Sequence, residues 1–277
     1  MKKILIPIGA LLVSGLAYGQ ASGASSTENY IESRTYLEPV TASSSTAKQM
    51  QTVQYLDGLG RPKQMVNVKA SPTGKDIVTP VAYDGFGRAV DSWLPVPMPT
   101  QNGGIQSGVT AAGTTYYADS RPFGHKDLES SPLDRVFSQV QPGQDWQTHP
   151  VQLQYDTNND SEVYKFVTTT GFSNGASSSV LKVSANSDHA SSGFYKANKL
   201  YKNTVADEDG NQTLEFKNAA GQVLLVRKFI SAAESADTYY VYNENNLLVF
   251  VIPPKAVGLL KGSGLSAGQT VGDAVLN

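Results

Sequence analysis

The chain has 277 residues, a formal net charge of −2, 17% charged residues and no cysteine. This length allows one large domain or two small ones, and the near-neutral charge gives no reason to expect nucleic acid or an anionic membrane as a partner. The absence of cysteine excludes disulfides, thiolate metal sites, a cysteine nucleophile and a lipid anchor on cysteine. Frequent tyrosine, threonine and valine, with turns rich in glycine and asparagine, favour strands over helices.

Residues 1–19 have the pattern of a secretory signal peptide. Two lysines precede an apolar run over residues 4–16, and small residues occupy the positions that a signal peptidase recognises before Gln20. An uncleaved anchor helix is the alternative, but the apolar run is short for a membrane span and contains a proline and a glycine. We therefore predict cleavage before Gln20, a secreted or cell-surface location, and no membrane span after cleavage.

Composition divides the rest of the chain into three parts. Residues 20–50 are predicted to be a flexible lead-in, in which residues 30–40 alternate weakly and could form a first strand. Residues 51–254 carry strand patterns throughout and are predicted to form one β domain. Residues 255–277 form a C-terminal tail, which we expect to be truncated and in which residues 270–276 could begin a helix.

A short phrase occurs twice near the start of the β domain, as DGLGR at residues 57–61 and as DGFGR at residues 84–88. Asp-Gly is a strong turn signal because tight hairpin turns need residues that tolerate positive φ. We therefore predict a hairpin tip at each phrase, with the arginines packed over neighbouring tyrosines. The predicted structural turn residues are Asp57, Gly58, Gly60, Arg61, Asp84, Gly85, Gly87 and Arg88.

Five β-hairpins are predicted where alternating runs meet at such turns. The paired runs are 52–56 with 64–68, 79–83 with 89–94, 151–155 with 162–168, 213–217 with 222–229, and 239–242 with 247–252. A hairpin is marginally stable alone in water. We therefore expect an all-β fold of successive antiparallel hairpins in one or two curved sheets.

Long loops rich in glycine, serine and proline are predicted between the hairpins. Residues 94–99 have a polyproline II pattern, and residues 100–114 are predicted to be a glycine-rich loop. Residues 120–134 contain two prolines, so any helix there is one or two turns long. Residues 173–192 are predicted to be either a long loop or an irregular strand pair.

The glycine pairs of the repeated phrase could also suggest a phosphate-binding loop. A dinucleotide fingerprint needs a third glycine and a following helix within a βαβ unit. Here a strand-like run follows each pair, so the turn interpretation is favoured and no cofactor is predicted.

Two acidic segments have the initial spacing of a calcium loop. They are Asp156, Asn158 and Asp160, and Asp207, Asp209 and Asn211. Both lack the glutamate at position 12 that completes such a loop. Solvated turns are therefore the favoured interpretation, structural calcium is the alternative, and no metal site is predicted.

No set of residues has the pattern of a catalytic site. The three histidines are widely separated, no serine lies in a Gly-x-Ser-x-Gly elbow, and no carboxylate pair stands out as acid and base. We expect no enzymatic activity, with a hydrolase built from distant residues as the alternative. Trp93, Trp146 and the tyrosines could line a sugar-binding face, although cross-strand packing is the favoured interpretation.

The repeated phrases resemble the YD repeats of bacterial Rhs proteins. YLDGLGRP at 55–62 and YDGFGR at 83–88 carry the resemblance, and residues 209–211, 218–222 and 239–243 look like degenerate copies. The run from 30 to 254 is similar to the N-terminal domain, of unknown function, that opens many secreted Rhs-type proteins of Gram-negative bacteria. The phrases that carry this second likeness are SPLDR at 131–135, YKNTVADEDGNQT at 201–213 and YYVYNENNLLVFVIPP at 239–254.

The resemblance implies a scaffold. Family members wind strips of β-hairpins into a hollow shell, often around a C-terminal toxin domain. This chain is far shorter and lacks both the repeat-associated core and a toxin segment, so we expect an N-terminal fragment or a truncated reading frame. The predicted function is a non-enzymatic section of an Rhs-type shell that encloses or presents a toxin or effector. The predicted partners are the remainder of that polypeptide and export or outer-membrane machinery. A stand-alone adhesion or glycan-binding module is the alternative.

Overall fold

The computed structural model describes residues 23–44, 46–185, 193–262 and 264–272. The predicted signal peptide lies outside the described residues. Within the described ranges, no helix is long and apolar enough to cross a membrane. The chain divides into two compact units. Unit 1 runs to His125 and also includes Pro142–Gln144. Unit 2 comprises Lys126–Gln141 and the chain from Asp145 onward. This division falls inside the segment 51–254.

Unit 1 is built on a five-stranded antiparallel sheet with the strand order β1-β2-β3-β4-β6. Its elements are β1 (Asn29–Tyr36), β2 (Gln49–Leu56), β3 (Pro62–Asn67), β4 (Ile77–Pro80), β5 (Asp91–Trp93), β6 (Val96–Pro97), α1 (Val109–Tyr117) and the start of β7 (Phe123–Leu128). Alternate residues of β2 and β3 point to one face, as strand geometry requires. This face forms the core, which also takes in Val78, Val96, Met98 and Val109.

A buried carboxylate organises the loop that follows β6. The Asp76 side chain is fully buried and accepts hydrogen bonds from the backbone N–H groups of Lys69, Asn102 and Gly103 and from the Thr100 hydroxyl, at 2.9–3.0 Å. A buried carboxylate is tolerated when its lone pairs are satisfied in this way. The Tyr55 hydroxyl also binds this loop, since it donates a hydrogen bond to the Gly103 carbonyl at 2.7 Å.

Unit 2 is built on an antiparallel sheet with the strand order β16-β15-β14-β13-β12-β9-β8-β7. Strands β10 and β11 form a separate two-stranded hairpin. The elements are β8 (Val136–Val140), a 3-10 turn (Asp145–Thr148), β9 (Val151–Thr157), β10 (Phe166–Ser173), β11 (Ala176–Val183), β12 (Tyr201–Ala206), β13 (Gln212–Lys217), β14 (Val223–Phe229), β15 (Ser235–Tyr242), β16 (Leu248–Ile252) and α2 (Pro254–Gly262).

The core of unit 2 lies on one face of this sheet. Phe216, Leu225 and Tyr239 point to that face, and α2 covers them with Ala256, Val257 and Leu260. A buried ion-pair network also links α2 to the sheet. Asp237, whose side chain is 1% exposed, lies 2.8 Å from Arg227 Nε and 2.9 Å from Lys261 Nζ. These two cations lower the pKa of Asp237 against the opposing effect of its burial. Removing either cation would leave the buried Asp237 carboxylate with one cation where it now has two.

The predicted all-β fold is confirmed, and three of the five predicted hairpins form. They are β2-β3, β13-β14 and β15-β16. The predicted pairing of 79–83 with 89–94 is wrong, because β4 pairs with β3 and β6 whereas β5 pairs with β7. Pro80 has no N–H to donate to a ladder, and it ends β4 before the turn.

The predicted hairpin between 151–155 and 162–168 is also wrong. Strand β9 pairs with β8 and β12, and β10 pairs with β11 across an Asn174-Gly175 turn in which both residues have positive φ. The link between β9 and β10 does not fold back on itself, because the buried side chain of Asn158 binds the backbone of residues 196–200 instead.

Two helices were not predicted from the sequence. Helix α1 occupies part of the predicted loop 100–114, and α2 occupies the start of the predicted tail 255–277. Residues 123–128 form β7, within a segment where only a short helix was considered. The predicted helix start at Thr270 is wrong, since Thr270 forms an isolated bridge with Lys182 and residues 273–277 lie outside the described residues.

Candidate functional site

The repeated phrase forms a closed turn of five residues. In the first copy, Asp57 N–H donates to the Arg61 carbonyl at 2.8 Å, and Gly60 N–H donates to the Asp57 carbonyl at 3.0 Å. The Asp57 Oδ1 atom accepts hydrogen bonds from the N–H groups of Leu59 and Arg61, both at 2.9 Å. This is an Asx turn in which the first side chain replaces a backbone acceptor.

Among the described residues the same geometry occurs five times, at 57–61, 84–88, 207–211, 218–222 and 243–247. In every copy the first N–H binds the fifth carbonyl, and the fourth N–H binds the first carbonyl. In every copy the first side chain also accepts from the third and fifth N–H groups. The fourth residue always has positive φ, at Gly60, Gly87, Gly210, Gly221 and Asn246. Ser71–Lys75 forms a related turn with a serine hydroxyl as the acceptor.

A second contact between the first and fifth side chains closes four of the five copies. Arginine Nε donates to aspartate Oδ2 at 2.8 Å between Arg61 and Asp57. The corresponding distance between Arg88 and Asp84 is 2.9 Å. At 207–211 an asparagine amide takes the place of the arginine, and at 218–222 both the first and the fifth side chains are amides. The copy at 243–247 has no such contact. Hydrogen bonds from the fifth residue lower the pKa of the aspartate in the three acidic copies, 57–61, 84–88 and 207–211.

Only the second glycine of each pair is required by the backbone. Gly60 and Gly87 have φ of +78° and +81°, in the left-handed region where a side chain is costly. Gly58 and Gly85 have no positive φ, and no atom lies within 4 Å of a Cβ built there. We expected the glycine of Asp-Gly to supply the positive φ of each turn, but the glycine two residues later supplies it. The N–H groups that a phosphate would use are already bound to the turn's own oxygen atoms.

The first two turns contact each other. The Arg61 guanidinium lies 4.1 Å from the centroid of the Tyr83 ring, and Arg61 Nη1 is 3.4 Å from the Gly87 carbonyl oxygen. The Tyr83 hydroxyl donates to the Pro62 carbonyl at 2.7 Å. The predicted packing on a tyrosine is thus confirmed for Arg61. The Arg88 guanidinium lies 5.1 Å from the centroid of the Phe86 ring.

Three of the candidate calcium ligands have side-chain oxygen atoms engaged in hydrogen bonds, namely Asn158, Asp160 and Asp207. Asn158 Oδ1 accepts from the N–H groups of Lys199 and Leu200, and Asp160 Oδ1 accepts from Ala197 N–H. Asp207 is the first residue of a five-residue turn. In the part of the chain that the structure describes, no group of three histidine, aspartate or glutamate side chains could hold a metal ion.

The other candidate residues fall in separate places. His125 Nδ1 lies 2.6 Å from Asp91 Oδ1 in unit 1, and His189 lies outside the described residues. His149 Nδ1 lies 3.3 Å from the Glu208 carbonyl oxygen in unit 2. The Trp93 ring packs against Phe123, whereas Trp146 is half exposed.

An open cleft of about 660 Å³ lies on the outer face of the unit 2 sheet, opposite the core. It crosses β9, β12 and β13 and reaches the turn at 218–222. Its lining residues are Arg135, Tyr155, Asp156, Thr157, Tyr201, Asn203, Lys217, Asn218, Ala219 and Gly221. These residues are distant in sequence, so only the strand order assembles them. The sequence signal for the cleft was Tyr155 at the end of the alternating run 151–155.

Comparison with known proteins gives one family match and several structural likenesses. A family model described as a domain of unknown function (DUF6443) matches residues 30–159. No curated protein matches the chain. The crystal structure of TcdB2-TccC3 is similar at 11% identity with a TM-score of 0.45, covering 79% of this chain and 10% of that one. The structure of TcdB2-TccC3-Cdc42 gives 13% identity and a TM-score of 0.43 over the same shares. The chain thus spans about a tenth of the length of those chains.

Proposed function

We propose that this chain is a non-enzymatic structural domain that is exported through its signal peptide. In this proposal it forms the N-terminal section of an Rhs-type β shell that encloses or presents a C-terminal toxin or effector. Its partners are the remainder of that polypeptide and the export or outer-membrane machinery. The proposal adopts what the YD-like phrases imply and rests on the geometry of the turns.

The observation that carries the proposal is the set of five equal turns. Four of them join neighbouring antiparallel strands, namely β2 to β3, β12 to β13, β13 to β14 and β15 to β16. Each turn binds four of its five N–H groups internally and closes the chain within five residues. Such a unit extends a sheet by one strand at a time without needing a ligand, which is what a shell built by repetition requires.

The end of the unit 2 sheet has the properties of an edge that receives another strand. Strand β16 is last in the strand order, and Leu248 and Val251 are 49% and 50% exposed. The sequence LVFVI contains no charge or proline, the features that commonly protect an edge from pairing. This supports further strands of a shell as the partner.

The direct test is to recover the exported protein from its native cells and sequence it. We expect the N-terminus at Gln20, and a covalent continuation or tightly bound Rhs-type polypeptide in the same particle. Mass spectrometry and light scattering measure both features. An exported chain that is monomeric at high concentration, with no accompanying polypeptide, would overturn the shell function. An N-terminus at Met1 would overturn export by cleavage.

The second candidate function, a stand-alone adhesion or glycan-binding module, is favoured by one observation. Tyr201 is 60% exposed within the outer cleft, where a packed sheet would have covered it. Solvent-facing rings in a groove are what such a module needs.

A further inference from the structure

We propose that the outer cleft of unit 2 binds a neutral oligosaccharide, which rests on the second candidate function above and is independent of the shell function. The proposal rests on two aromatic rings, on polar side chains without protein partners and on the charge balance of the cleft.

The two rings lie on the same face of neighbouring strands. Tyr155 on β9 is opposite Asn203 on β12, and Tyr201 is opposite Thr157. Tyr155 and Tyr201 are therefore diagonal neighbours that point away from the core. A tyrosine ring has an electron-rich face that attracts the polarised C–H groups of a sugar ring, and it loses little conformational entropy on binding.

Tyr155 is held in place before any ligand arrives. The Arg135 guanidinium lies 5.1 Å from the centroid of its ring, and the Phe137 ring lies 6.4 Å away, centroid to centroid. Arg135 is itself fixed by Glu129, with 2.8 Å between Nη2 and Oε2. Tyr201 remains exposed at the opposite side of the cleft. One preorganised ring beside one accessible ring suits a chain of sugar units lying across the strands.

Polar groups between the rings are available to a ligand. Among the residues that the structure describes, the Asn203 amide and the Tyr201 hydroxyl have no hydrogen-bond partner, and Asn203 lies on the same face of the sheet as both rings. An amide can bind two adjacent hydroxyl groups, one through its N–H donors and the other through its oxygen acceptor. Vicinal hydroxyls are the recurring feature of hexose rings.

The charge of the cleft favours a neutral ligand over an anionic one. Its two cations already have carboxylate partners, Arg135 with Glu129 and Lys217 with Glu215 at 2.6 Å. A phosphate or an acidic polysaccharide would therefore find no unpaired cation here. The volume of about 660 Å³ lies within the usual range for ligand sites, and its open shape fits an extended oligomer.

The test is calorimetric titration of the whole chain with cellohexaose, chitohexaose, maltohexaose and xylohexaose, and with heparin as the acidic comparison. We expect at least one neutral oligomer to bind saturably. Tyr201→Ala and Asn203→Ala should each weaken that binding roughly tenfold or more, equivalent to about 1.4 kcal/mol. Tyr116→Ala is the matched control, since Tyr116 is also 60% exposed but lies on α1 of unit 1.

Three results would overturn the proposal. They are the absence of binding to every neutral oligomer, binding to heparin alone, and neutral binding that neither cleft variant weakens. Tyr201→Phe provides a second variant that keeps the ring and removes only the hydroxyl, so it should retain most of the affinity. Thermal melts of all variants show whether a loss of binding reflects the cleft or the fold. None of these results depends on whether a shell polypeptide accompanies the chain.

Discussion

The five turns have one backbone geometry but are closed by different chemistry in the two units. In unit 1, both copies pair an aspartate with an arginine, and the arginine of the first copy also contacts the second copy. In unit 2, amide side chains replace the arginine, and the last copy has no closing side chain. The first-position acceptor and the positive φ at the fourth position are the shared features. The geometry therefore depends on these two, and the ion pair is an addition specific to unit 1.

The largest difference is expected at the fourth position. Gly87→Val places a Cβ 2.7 Å from Arg61 Nη1, so it strains the backbone and displaces Arg61 from Tyr83. Gly210→Val has the same positive φ but no neighbouring atom within 4 Å. Each should lower the free energy of unfolding by roughly 1–3 kcal/mol, with Gly87→Val at the upper end. Urea titrations measure both values. Equal losses would show that the contact between the first two turns adds nothing.

A smaller effect is expected from replacing the aspartates of unit 1. Asp57→Asn and Asp84→Asn keep an Oδ1 acceptor, as Asn218 does naturally, but remove the ion pair with arginine. The pKa of each aspartate is lowered in the fold. Its contribution is therefore present above the unfolded value near pH 4 and is lost as the pH falls through the folded value.

Thermal melts from neutral pH downward, of the wild type and of a double variant that carries both substitutions, test this pH dependence. The variant should melt slightly lower at neutral pH, and the difference should vanish in acid. Asn218→Asp is the reverse variant and should gain acid sensitivity in unit 2. A double variant with the same acid dependence as wild type would contradict the assignment. Glu129, whose pKa Arg135 lowers to about 2, is unchanged in all variants and supplies a common background.

The smallest effect is expected at the second position of the turns. Gly58→Ala and Gly85→Ala introduce a side chain where φ is not positive and no atom lies within 4 Å. They should leave stability unchanged or raise it by a few tenths of a kcal/mol, because alanine restricts the unfolded chain. A loss comparable to that of Gly87→Val in the same urea titration would show that both glycines of each pair are required.

Sequence reasoning succeeded where the signal lies within a few residues. An Asx residue followed three positions later by glycine specifies the turn locally, so the tips at 57–61 and 84–88 could be predicted. The Ser71 turn was missed because serine is a weaker version of the same signal. The prediction of strand pairing failed where residues distant in sequence decide the pairing. Asn158 is an example, because its buried amide binds the backbone of residues 196–200.

The helices and the cleft were missed for different reasons. Helix α1 (VTAAGTTYY) and helix α2 (PKAVGLLKG) each have nine residues and an internal glycine, so neither has a sustained apolar period. Helix α2 forms because three of its residues reach the core of unit 2, which is a tertiary effect. The cleft joins residues from 135 to 221, and only the register of β9, β12 and β13 brings them together.

The middle residue of each turn has a consequence for sequence variation. Position three is Leu59, Phe86, Asp209, Ala220 or Asn245, and its side chain makes none of the contacts that close the turn. Leu59 and Phe86 are 79% and 78% exposed. Substitutions there can change surface chemistry while the loop conformation stays constant. The fold thus offers five permissive display positions, at which peptide libraries or evolving recognition residues could be introduced without redesigning the sheet.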